Sequence, residues 1–293
     1  MNRFRKKLRR KPVTLIVGII CKDGIVVASD SQTTWGSGKS WNADKMAELV
    51  HPYGKAVVAG SGAVITSSNI IKHLTQLAID RTIFDQMELP GIAANAVRAV
   101  RNELRKQQFD CTSEEFQSFI EQEELDCELM IAHYTNTTPR LDTISLSIGL
   151  PNRANHFFEA VGSGSDLATY LLTDLCSPNM ESTTASVIAV HVVEIVKRHD
   201  PYCGGPTKVG ILTRPLNAAT VSMIKPPESW KFFEGFGQFY APPVFLPKQK
   251  IEELVKMVLE VEIETKRQRG AIILKALKEN ADKMLKEIME EFG

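Results

Sequence analysis

A threonine at position 14 opens the first β-patterned run of the chain, TLIVGIICKDG. A threonine hydroxyl is a weak nucleophile and needs a base to take its proton. If the chain were cut before Thr14, the α-amino group of that residue would stand beside Oγ1. Such an amine has a pKa of about 7.7–8.0, close enough to neutrality to act as the base. Lys45 offers an ammonium that would lower the pKa of both amine and hydroxyl, and Asp30 offers a carboxylate to keep that lysine charged and in place. At Ala59-Gly60-Ser61 a strand ends in a glycine bend, where a backbone N–H could approach a tetrahedral oxyanion with no Cβ in the way. Singly, each of these residue types also suits a plain structural role: Thr14 as a strand threonine, Asp30 and Lys45 as a structural ion pair, Gly60 as a turn.

The elements that must position these residues are legible in the hydrophobic pattern. Two β-branched runs, TLIVGIIC and IVVASDSQT, flank Lys22-Asp23-Gly24 and predict a hairpin. Further strands are expected from Lys45, over KAVVAGSGA, and then over LMIAHYT, LDTISLSIG, HFFEAVGSGS and KVGILT. Helical spacing covers 67–81, a segment from Pro90 through Leu104, 167–175 and 184–197, the last with Val187, Ile188, His191, Val192, Ile195 and Val196 as its expected buried side. Residues 106–126 read as an inserted, solvated helix-loop. Pro215 to Pro247 is expected to be irregular, and Lys248 to Phe292 an amphipathic helical segment. Strand groups alternating with helix pairs imply a strand layer covered on both faces by helices.

Composition narrows the class. Thirty-five basic residues balance thirty-five acidic ones, so no global charge draws the chain to nucleic acid or a membrane. The five cysteines form no CxxC pair and the histidines no HExxH spacing, so neither a metal site nor a disulfide scaffold is expected, and a reducing cytoplasm fits. No run approaches the ~20 apolar residues that span a bilayer. Arg3, Lys6, Lys7, Arg9, Arg10 and Lys11 make residues 1–13 a basic leader, read here as a short propeptide.

The run TLIVGIICKDGIVVASDSQTT, the lysine of NADKMAEL, the glycine of KAVVAGSGA, the turn in EAVGSGSDLA and the segment KRHDPYCGG together resemble a proteasome β subunit, a threonine peptidase of the N-terminal-nucleophile (Ntn) hydrolase class, over about residues 14–213. The resemblance implies an α+β fold, a four-layer αββα sandwich, here with a C-terminal helical extension. It places Thr14 at the nucleophile, Asp30 and Lys45 at the tuning pair and Gly60 at the oxyanion donor. Ser163, Asp200 and Cys203 fall at the positions that support the amine, and Thr33, Val58 and Gly62 at the pocket nearest the scissile bond. It further implies peptide-bond hydrolysis without a cofactor, protein or peptide substrates, a homo-oligomeric ring or spiral, and an ATP-driven unfoldase as partner. An inactive structural subunit of such a ring, or a small-molecule amidase of the same class, would carry much of the same pattern.

Three departures stand out. Val13 precedes Thr14 where self-processing members carry glycine. Gln32 replaces a frequent arginine, and Cys203 a usual serine. The expected organisation is a leader over 1–13, the hydrolase domain over 14–214, and a Pro/aromatic linker with helices over 215–293.

Overall fold

The computed structural model describes residues 14–35, 38–40, 43–107, 112–154, 156–217, 231–233, 238–240, 244–245, 248–249, 251–253, 255–256, 260 and 264. The basic leader and most of the expected C-terminal helical segment lie outside the described residues. The chain divides into two compact units, Met1–Ile251 and Glu252–Gly293. Among the described residues, no helix is long and apolar enough to cross a membrane.

The first unit begins with the expected hairpin of β1 (Leu15–Ile20) and β2 (Gly24–Ser29), in register from Ile16↔Ser29 to Ile20↔Ile25. A small hairpin follows, β3 (Thr33–Trp35) with β4 (Gly38–Ser40), then β5 (Met46–His51) and β6 (Gly54–Gly62). Helices α1 (Val64–Ala78), α2 (Arg81–Gln86), α3 (Leu89–Gln107) and α4 (Ser113–Gln122) come next. Strands β7 (Cys127–Thr135), β8 (Thr138–Ser145), β9 (Pro151–Arg153) and β10 (Phe158–Gly162) lead to α5 (Ser165–Leu175), α6 (Ser182–His199) and β11 (Lys208–Thr213). Short strands β12 (Leu216–Asn217), β13 (Lys231–Phe233), β14 (Gln238–Tyr240) and β15 (Val244–Phe245) complete the order.

Two antiparallel five-stranded sheets, β10-β1-β2-β11-β15 and β5-β6-β7-β8-β9, face each other. Their alternating inward residues, among them Ile16, Val27, Val57, Met130, Leu141 and Val161, form the core between them. Helices α1 and α3 cover the second sheet over Leu49, Val58, Ile70, Leu74, Val97, Leu129 and Ile131. Helices α5 and α6 cover the first sheet. The result is the four-layer αββα sandwich. Gly18 lets the sheets approach, because a Cβ there would stand 2.7 Å from Met130 Sδ and 2.8 Å from Leu141 Cδ2.

Several local expectations change. The helix of the expected helix-loop covers residues 113–122, but one side of it is buried and not solvated: Thr112 and Glu115 make a reciprocal capping box, while Phe116 and Ile120 are fully buried in the α1–α3 core. The buried side of α6 is carried by Ala185, Ser186, Ala189, Val190, Val192, Val193 and Val196, with Val187, Ile188, His191 and Ile195 only half-buried. Small residues let this helix lie close to the sheet, which a pattern weighted by large apolar residues misplaces. Within 215–247, β12, β14 and β13 form a three-stranded sheet, and β15 extends the first sheet by pairing with β11.

Candidate active site

Thr14 lies immediately before β1, 2% exposed. Asp30 follows β2, and Lys45 precedes β5. The β1–β2 register therefore brings Asp30 back beside Thr14, and Lys45 reaches them from the opposite sheet. Lys45 Nζ donates to Thr14 Oγ1 at 2.5 Å and to Asp30 Oδ1 at 2.8 Å. The ion pair is nearly dry, with side-chain exposures of 5% for Lys45 and 0% for Asp30.

A dry ion pair is stable only if its remaining valences are satisfied. Asp30 meets that requirement with three backbone donors besides the lysine. Leu15 N–H donates to Oδ1 at 3.0 Å, and Gln32 N–H (3.1 Å) and Gly204 N–H (3.0 Å) donate to Oδ2. These bonds occupy the acceptor positions that the lysine leaves open. Burial holds Lys45 below the ordinary lysine range, opposed by the adjacent Asp30. The ammonium is thus set to donate to an oxygen that is losing its proton.

On the nitrogen side of Thr14, Ser163 Oγ lies 3.4 Å from both its N and its carbonyl O, accepting from the first and donating to the second. Ser163 is 3.7 Å from Cys203 Sγ, which donates to Asp200 Oδ2 at 3.5 Å. Asp200 fixes the following turn by accepting from Tyr202 N–H at 2.9 Å. Burial, with Asp30 and Asp200 nearby, pushes the Cys203 thiol up to about 12. It therefore stays a neutral hydrogen-bonding group. Gln32 Nε2 donates to Pro201 O at 3.1 Å, tying this turn to the end of β2.

Thr14 itself is strained. Its φ of 140° is unusual for a β-branched residue. Gly162 enforces the arrangement: at φ +103° it pairs with Leu15, and a Cβ there would stand 2.0 Å from Thr14 O. Sequence reading did not single out Gly162, although its place at the start of the Gly-Ser-Gly turn could have signalled it.

The structure thus joins Thr14, Asp30, Lys45, Ser163, Asp200 and Cys203 in one network. Gly60 differs from expectation. Its N–H donates to Lys45 O at 2.8 Å, one rung beyond the β5–β6 register, and so is engaged rather than free for an oxyanion. Val58 also differs: it is fully buried in the core beneath α1 and α3 and does not line an open wall. Thr33 is buried on β3, and half-buried Gly62 ends β6.

A model of the family described as "Proteasome subunit" matches residues 13–212. Rat (Rattus norvegicus) "Proteasome subunit beta type-10" is 24% identical over 265 residues, covering 89% of this chain and 87% of that protein. Among solved structures, Anbu (ancestral beta-subunit) from Yersinia bercovieri superposes with a TM-score of 0.61 at 17% identity, covering 87% of this chain and 97% of the other. Anbu from Hyphomicrobium sp. strain MC1 gives 0.59 at 14% identity, over 86% and 97%.

Proposed function

Because this chain belongs to the proteasome subunit family, we propose that it is a threonine-type endopeptidase subunit that acts once residues 1–13 are removed, with 14–214 as the hydrolase domain. The observation that carries the reading is the chain of contacts Asp30–Lys45–Thr14 Oγ1 inside a dry, fully bonded pocket.

Removal of the leader converts the Thr14 nitrogen from an amide into an amine, held near Ser163 Oγ. The amine takes the hydroxyl proton as Oγ1 attacks the scissile carbonyl, and the Lys45 ammonium stabilises the developing oxyanionic character at Oγ1. The amine then passes the proton to the leaving nitrogen, and water releases the acyl group by the same route. Ser163, Cys203 and Asp200 orient the amine. For Gly60 to bind the oxyanion, its N–H exchanges the Lys45 carbonyl for substrate at the last rung of the β5–β6 ladder. The positive φ of Thr14 belongs to its bond with Val13 and costs on the order of 1–3 kcal/mol, strain that cleavage releases.

Thr33 and Gly62 are small and uncharged, so the residue before the cut is expected to be apolar. Selective cleavage of fluorogenic peptides after Arg or Asp would contradict this. The subunit works in the cytoplasm, in a homo-oligomeric ring or spiral, fed by an ATP-driven unfoldase.

One observation favours a second reading. An engaged Gly60 amide suits a structural ring subunit without activity. Peptide hydrolysis by wild type and Thr14→Ala decides between them: the peptidase reading requires turnover that Thr14→Ala reduces to background, whereas no turnover in a processed wild type favours the scaffold.

A further inference from the structure

Away from Thr14, helix α3 carries Arg98, Arg101 and Arg105 at spacings of three and four, which places them along one side of the helix. With Asn102, Ile148 and Gly149 they line a cavity of about 320 Å3. Among the described residues its lining holds three guanidinium groups and no carboxylate, a local excess in a chain whose total charge is zero.

These guanidinium groups are held in place. Arg101 Nη1 donates to Leu146 O at 2.6 Å and to Ser147 O at 2.7 Å. Arg101 and Arg105 both lie over the ring of Phe116, 5.2 and 4.9 Å from its centroid, and that ring is fully buried. Arg105 Nε is buried with no hydrogen-bond partner among the described residues. Burial, and then Arg105, hold the Arg101 guanidinium below its usual range. Two stacked like charges and an unsatisfied buried donor are a costly arrangement for a merely structural cluster.

We propose that this pocket binds a phosphorylated small molecule, with Arg98, Asn102 and Arg105 donating to the phosphoryl oxygens and Arg101 holding the wall. The planar fork of arginine matches phosphoryl geometry, and several such donors favour a dianion over a single carboxylate. The volume lies at the lower end of the ~300–1,000 Å3 range of small-molecule pockets, with room for an organic portion beyond the phosphoryl group. The inserted segment makes the site possible, because Phe116 of α4 is the platform under both stacked arginines. The inference is independent of the peptidase reading.

Isothermal titration of the full-length protein with inorganic pyrophosphate, at ionic strength matched with sodium chloride, tests it. The expected result is saturable binding of one anion per chain with a Kd below about 1 mM. Binding should weaken about tenfold or more in Arg98→Met and in Arg105→Met, and stay unchanged in Thr14→Ala. Arg98 is exposed and does not stack on Phe116, so its variant keeps the test decisive if Arg105→Met fails to fold. Absence of saturable binding, or equal affinity in wild type and Arg98→Met, overturns the proposal.

Discussion

Lys45 stands at the centre of the residue-scale account, because its ammonium touches both the hydroxyl and the carboxylate. Lys45→Ala is expected to lower kcat by about 10²–10⁴-fold in peptide hydrolysis, the usual weight of a proton-handling group. A loss below tenfold would place that burden elsewhere. Cys203 makes a sharper test. As a neutral thiol between Ser163 and Asp200 it serves only as a hydrogen-bonding bridge, and a hydroxyl bridges better. Cys203→Ser should therefore hydrolyse peptides as fast as wild type or faster. Abolished turnover would instead point to sulfur as the nucleophile.

At the scale of elements, strand ends set the geometry. Gly162→Ala would drive a Cβ into Thr14 O and force an L-residue into a positive φ. The expected result is loss of peptide hydrolysis with a destabilisation of about 1–3 kcal/mol in denaturant melts; full activity would show that the β10 end does not hold Thr14. The sequence made much of this level readable. The β1–β2 hairpin follows from alternation and the pairing of Asp30 with Lys45 from residues whose chemistry stands out, whereas the GSG turn is legible only through the family resemblance. What stayed hidden depends on packing against distant partners. Val58 looks like any strand valine until β6 is seen to turn it toward α1. The Gly60 amide is spent on a carbonyl fifteen residues earlier in the chain. The acidity of 106–126 masked Phe116 and Ile120, two buried residues one helical turn apart.

For the whole molecule, the contact between the sheets carries a pH dependence. Glu128 on β7 is pushed up to about 7 from an ordinary value of 4.5, by burial first and then by Glu159 of the facing sheet and by Asp126. The folded state therefore keeps this proton where the unfolded chain has lost it. Its contribution to stability is fully present below pH 4.5 and is lost as pH rises through about 7. Glu128→Gln removes that loss: the Tm difference, variant minus wild type, should climb between pH 4.5 and 7 and then level off. A pH-independent difference would refute the assignment. The peptidase chemistry nonetheless depends on one bond, Val13–Thr14, which intact-mass spectrometry of the purified, peptide-hydrolysing protein reads. The active chain is expected to begin at Thr14; an active chain that still carries residues 1–13 would refute the proposed nucleophile.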